Sequence, residues 1–258
     1  MVGMFPFTHG ILSAAAYVTG AVNFDGTNDY LRASTSFTNS TNSNKFSFSA
    51  WIKLSTAMDA ASFTFYTGRD GANNQPFFRN STSGLHFEHV TAGNSTAYNL
   101  QSTEVLTSTW GWIHIAVGVD NTSTSTGTFA VFVNGATSWS STSALVSTSA
   151  VDWTSTGTHT FFANNSASEL YAGDVADVYL ETVAATLAST ANITLFRGSN
   201  GKPVNLGSSG ATPSGAQPVV FLTHVAGATA ADFDDNLGYG GTVPIVGALT
   251  ESTSSPTD

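Results

Sequence analysis

Asp25, Asn28 and Asp29 crowd three hard oxygen donors into one short stretch, and Asp174 with Asp177 adds two more late in the chain. Oxygen sets of this kind suit Ca²⁺, provided the first and last strands of the fold bring them together. Asp-Gly and Asn-Asp are also ordinary turn formers whose side chains bond their own backbone, so the structural reading stands beside the metal one. Trp110, Trp139 and Trp153 are candidate glycan contacts, because a sugar ring stacks on an exposed indole; the same rings, with Trp51 and Trp112, can instead fill a covered face or a subunit contact. His86 and Glu88 fall on one face of Leu85–Val90 and offer a metal reading, against the simpler one of two polar residues shown to water. His114, beside Trp112, reads as a hydrogen-bonded structural histidine.

Catalysis finds less support. Glycosidases need two carboxylates, as acid and nucleophile or base, and none of Glu88, Glu104, Glu169, Glu181 and Glu251 has an acidic residue at both i+2 and i+4. No G-x-S-x-G elbow precedes a helix pattern, and no G-x-x-x-x-G-K-S/T loop is present. The expectation is a protein that is not an enzyme, with no catalytic residue.

Composition narrows the partners. The 258 residues include seven Lys plus Arg, seventeen Asp plus Glu and no Cys, for a formal net charge of -10. So few cations cannot neutralise a phosphate backbone, and no Cys means no disulfide scaffold, thiolate metal site or Cys nucleophile. Only 9% of residues are charged, against about 25% in average domains, so 70 Ser plus Thr must wet much of the surface. No run approaches the roughly 18 apolar residues of a membrane span. Met1 to Ala16 is apolar but carries no Lys or Arg, the first being Arg32, and it reads as an arm rather than a signal peptide. Within it Met4, Phe5, Pro6 and Phe7 are the expected assembly contacts.

The elements that must position these residues show period two. In Lys45–Leu54, one face carries Phe46, Phe48, Ala50, Ile52 and Leu54, and the other Ser47, Ser49, Trp51 and Lys53. Trp112 to Val119 and Phe129 to Val133 alternate likewise, the second ending at a hairpin signal, Asn134-Gly135. Further short runs are expected at 21–24, 30–33, 62–66, 85–90, 159–162, 170–171 and 175–180. The whole reads as an all-β antiparallel sandwich over 21–182, preceded by an arm over 1–20. A short helix is expected over 183–198, capped by Thr190 and Gly198, and residues 199–258 form a Gly/Ser/Pro-rich extended appendage packed on the sandwich or on a neighbouring subunit.

Five motifs in order carry a resemblance: Ala21–Leu31, Phe46–Lys53, Trp112-Ile113-His114-Ile115-Ala116, Phe132-Val133-Asn134-Gly135 and Tyr171–Tyr179. Together they resemble the laminin-G-like, concanavalin A-like jelly rolls, whose members serve as calcium-dependent glycan or protein binders or as glycosidase folds. Phe196–Gly215 and Asn236–Gly241 are similar to C-terminal segments of tailed-phage proteins carrying this domain. That likeness implies a virion surface component, assembled in the bacterial host cytoplasm, decorating a capsid or forming a head fibre or tail part. Its implied partners are the major capsid or tail protein, further copies of itself, a trimer suiting a capsid three-fold, and a host-surface glycan, with neither nucleic acid nor membrane. The alternative is a lectin-like carbohydrate-binding module, with Ca²⁺ as its candidate cofactor.

Overall fold

Alternating apolar and polar residues make strands that bury one face, and two such sheets need each other. The computed structural model describes residues 17–258 except 34–35, 70–74, 92–93, 141–142, 155–157 and 226. Its strands, in chain order, begin with β1 Val22–Asp25, β2 Tyr30–Ala33, β3 Lys45–Leu54, β4 Phe63–Arg69, β5 Gln75–Ser81, β6 Gly84–Val90, β7 Thr96–Gln101 and β8 Trp112–Asp120. They continue with β9 Thr128–Val133, β10 Ala136–Thr137, β11 Ala144–Leu145, β12 Thr158–Phe161, β13 Ala172–Glu181, β14 Val220–Leu222, β15 Ile245–Val246 and β16 Thr250–Glu251.

One eight-stranded sheet runs β10-β9-β8-β3-β13-β1-β16, with β14 also on β13, and the other runs β11-β7-β6-β5-β4-β12-β2-β15. Every described strand pairing is antiparallel, so the jelly-roll sandwich read from the sequence is the fold. Aromatic rings fill the space between the sheets, with Phe46 stacked on Phe87 at 4.9 Å and Phe48 meeting Phe78 edge-on at 5.3 Å. Asn134 and Gly135 both take positive φ, 52° and 82°, the geometry a two-residue hairpin demands between β9 and β10.

The expected helix over 183–198 is instead two 3₁₀ segments, Thr186–Ala188 and Thr190–Leu195. Ser189 stands between them with extended angles, φ -91° and ψ 122°, which interrupts any longer helix. Ser189 and Phe196 flank the second segment, in place of Thr190 and Gly198. These segments cover the outer face of the first sheet, where Ala116, Phe132, Tyr179, Leu187, Phe196 and Phe221 form a second core. The stretch after residue 199 also folds back: β14 joins β13, β15 joins β2 and β16 joins β1.

β1 and β14 occupy successive lengths of the same side of β13, and the register of β13 against β3 shifts between Ala176 and Tyr179. Asp177 sits in that bulge at φ 47°, buried, and its carboxylate accepts hydroxyls from Tyr17 at 3.1 Å, Thr19 at 3.0 Å and Thr223 at 2.6 Å. Burial pushes this carboxyl up to about 6, against the lowering pull of the three hydroxyls. A carboxyl that binds its proton more tightly folded than unfolded favours folding below the unfolded value of 3.8, and that advantage is lost as pH rises through 6. The loss at neutral pH is about 3 kcal/mol. Asn tolerates the same positive φ and carries no charge. Thermal unfolding of Asp177→Asn is therefore expected to exceed wild type in stability at pH 7.5, with the gain vanishing towards pH 4; a pH-independent difference contradicts this account.

Candidate functional site

The end of β8 and the start of β9 pair so that Asp120 faces Thr128 and Val119 faces Phe129. Beyond β10, Ser138 is fixed by its amide donating to Val131 O at 2.8 Å, while its hydroxyl lies 3.2 Å from that of Thr103. Trp139, next in the chain, is thereby set against Phe129, ring centroids 5.6 Å apart and nearly perpendicular, with 39% of its surface exposed. Ala185, Ala188, Ser189 and Thr190 make one wall of a groove of about 700 Å³ whose lining also includes Asp120, Gly127, Thr128, Phe129 and Trp139.

That wall depends on Gly118. A Cβ there would collide with the Leu187 carbonyl carbon and the Ala188 nitrogen, so only glycine lets the 3₁₀ segment lie on β8. Leu187 N donates to Ser47 Oγ at 3.0 Å and holds the segment down. Asp120 is the one carboxylate among the lining residues, and Lys45 Nζ approaches it at 3.0 Å while the Thr122 hydroxyl donates at 2.6 Å. Burial raises its carboxyl, but the hydrogen bonds from Thr122 and Lys45 and the Lys45 charge outweigh that and hold it below the usual range. The groove thus joins an aromatic platform to an ionised acceptor and a rim of hydroxyls, the mixture of apolar surface and few polar groups that small-ligand sites use.

The other candidates are dispersed. Trp110 is also 39% exposed, but it lies outside the groove on the turn Ser108–Trp110, where Ser108 is tied to Asp59. Trp153 is buried entirely, between Phe46 and Tyr66, and is corrected from glycan contact to core. β1 and β13 do pair, yet the oxygen set does not converge. Asp25 Oδ1 accepts the amides of Thr27 and Asn28, hydrogen bonds that keep its carboxyl low, and Asp29 accepts the amides of Asp25 and Ala248. Asp174 faces Asn23 and takes its amide at 2.8 Å, while Asp177 is enclosed by its hydroxyls. Among the described residues no three His, Asp or Glu side chains are grouped to hold a metal ion. Met4, Phe5, Pro6 and Phe7 lie outside the described residues.

His114 is buried 2.8 Å from Ser49 Oγ, and burial, with Arg197 nearby, pushes it down to about 3. His86 and Glu88 share the outer face of the second sheet, opposite Arg79 and Phe77 of β5, whereas His89 turns inward. Asp120 and Phe129 were not singled out as site residues by sequence reasoning. Their signal lies in register, Lys45 opposite Asp120 and Val119 opposite Phe129, which no local pattern displays.

A family profile, Laminin_G_3, described as the concanavalin A-like lectin/glucanases superfamily, matches residues 25–191. Comparison with curated proteins finds no match. Among solved structures, a putative carbohydrate binding protein from Bacteroides ovatus superposes with a TM-score of 0.60 at 13% identity, covering 92% of this chain and 61% of that one. Domain 4 of a GH43 extracellular arabinanase from Geobacillus stearothermophilus, in complex with arabinotriose, gives a TM-score of 0.48 at 17% identity, covering 70% of this chain and 81% of that one. The SAP-like pentraxin of Limulus polyphemus gives 0.47 at 14%, covering 68% and 80%. The Bacteroides ovatus superposition shows the shared fold, and none of these matches ties the chain to tailed phages; Phe196 and Leu206 of the phage-like motifs are buried in the second core.

Proposed function

We propose that this chain, which belongs to the concanavalin A-like lectin/glucanases superfamily, is a non-catalytic carbohydrate-binding module that holds its ligand in the Trp139 groove. The observation that carries the reading is the half-exposed indole braced edge-on by Phe129 above a groove rimmed by Thr128, Ser189 and Thr190. The C–H face of a sugar ring stacks on the indole, its hydroxyls exchange hydrogen bonds with the rim, and Asp120 accepts one of them. Bracing matters because a ring fixed before binding loses little freedom on binding.

Support for a binding role over hydrolysis comes from the same residues. Hydrolysis of a glycoside takes two carboxyl groups across the scissile bond, and Asp120 stands alone among the lining residues and is already engaged by Lys45. The fold shared with the putative carbohydrate binding protein from Bacteroides ovatus is consistent with this reading. A net charge of -10 favours neutral over acidic saccharides, since long-range repulsion slows an anion's approach. Placement on a virion, with a capsid or tail protein as partner, is the further proposal that goes with the phage-like motifs. The test is a glycan array probed with the purified chain: retention on neutral oligosaccharides is expected, and silence across the array overturns the reading.

A further inference from the structure

The outer face of the second sheet carries a smaller cavity, about 170 Å³, lined by Thr64 and Thr67 of β4, Phe77 and Arg79 of β5, and Asn164 and Glu169 from the loop between β12 and β13. We propose that this cavity is a second saccharide site, taking a single uncharged sugar unit between Arg79 and Glu169. The inference rests on the carbohydrate-binding reading and adds a site on the sheet that does not form the Trp139 groove.

Arg79 has a donor that its neighbours leave unmet. Its guanidinium lies over the Phe77 ring, 5.1 Å from the centroid, and its buried Nε has no hydrogen-bond partner. Among the described residues it forms no ion pair. A buried donor without an acceptor costs about 1–3 kcal/mol, which the cation–π contact with Phe77 offsets only in part.

Glu169 is held in place from two directions. Its carbonyl accepts the Thr64 amide at 3.1 Å and its Oε2 accepts the Thr64 hydroxyl at 2.8 Å, which leaves Oε1 without a hydrogen bond among the described residues. The loop that delivers it is costly in backbone terms: Phe162, Ala167 and Glu169 all take positive φ, at 64°, 52° and 52°. Asn164 Oδ1 pins that loop by accepting the amides of Ser166 at 3.0 Å and Ser168 at 2.9 Å.

The ligand class follows from the charges. An anion in this space meets Glu169 and a cation meets Arg79, whereas neighbouring hydroxyls on one neutral sugar accept from the guanidinium and donate to the carboxylate together. Thr67 adds a hydroxyl, that of Thr64 being given to Glu169, and the half-buried Phe77 supplies the apolar part of the lining.

The experiment is an amide and indole NMR titration of the full chain with D-glucose, D-galactose and D-mannose. Wild type, Trp139→Ala, Arg79→Met and Glu169→Gln are compared, each checked for an unchanged unfolding midpoint. In Trp139→Ala, saturable shifts at Phe77, Arg79 and Glu169 are expected with at least one sugar. Arg79→Met and Glu169→Gln are each expected to weaken that response at least tenfold while the Trp139 indole still responds. A Trp139 response with silent Phe77, Arg79 and Glu169 amides overturns the second site and leaves the first intact. Silence at both places with all three sugars overturns the second site, and the carbohydrate reading falls as well only when the glycan array is silent too.

Discussion

Replacing Trp139 with alanine is expected to weaken saccharide binding about 30-fold or more, the 2 kcal/mol characteristic of an aromatic anchor. The indole is the largest apolar surface the groove offers, and the sugar face has nothing of equal area to move to, since Phe129 presents its edge to the indole and is only partly exposed. Folding should hardly change. Trp139 lies after β10 rather than between the sheets, and losing one edge-on ring contact costs about 1 kcal/mol. Trp110→Ala is the matched control, equally exposed at 39% but on a turn that does not line the groove, and its binding curve should overlay wild type. Calorimetric titration with the strongest array saccharide separates the two. Equal affinity in Trp139→Ala and wild type contradicts the placement of the site.

The second large effect is on folding. Trp153→Ala should cost about 3–5 kcal/mol, because the ring is fully buried and its removal leaves a void that the surrounding rings cannot close. Phe46, Tyr66 and His159 surround it with centroids 6.0, 6.1 and 6.4 Å away, each fixed on a different strand. A domain with a typical 5–15 kcal/mol of stability loses a large part of it to this one substitution. Urea unfolding should show a lower midpoint at unchanged slope, the mark of a cavity rather than an altered unfolded state. A loss below about 1 kcal/mol would place Trp153 outside the core and reopen its role as a glycan contact.

Sequence periodicity revealed strands wherever one face is apolar and the other polar. Lys45–Leu54 and Tyr30–Ala33 are strands over the same residues that alternation marked out. β5 and β7 escaped it for physical reasons: Pro76 and the adjacent Phe77-Phe78 blur the alternation in Gln75–Ser81, and Thr96–Gln101 buries the neighbours Ala97 and Tyr98 together in a segment with few large apolar side chains. The short strands β14, β15 and β16 are too brief to show alternation, although β14 and β15 lie in apolar runs, and each is held by a tertiary partner. Hence residues 199–258, read as an appendage from their Gly, Ser and Pro, supply strands to both sheets.

The candidate site was legible only in part. Trp139 stood out by residue type, but exposure separates it from Trp153, and exposure is a property of packing. Asp120 looks like the end of any strand until β3 places Lys45 opposite it. The calcium expectation assumed that pairing β1 with β13 gathers all five oxygen ligands. The register instead sets Asp174 against Asn23, and the bulge turns Asp177 into a buried pocket of hydroxyls.

The most direct test of the central claim is the glycan array followed by an NMR titration of the five Trp indole N–H groups with whichever saccharide is retained. The account predicts a saturable shift of the Trp139 indole, identified by its absence from Trp139→Phe, with the Trp153 indole unmoved. Retention of a saccharide with the Trp139 resonance unchanged, or no retention of any saccharide, contradicts it.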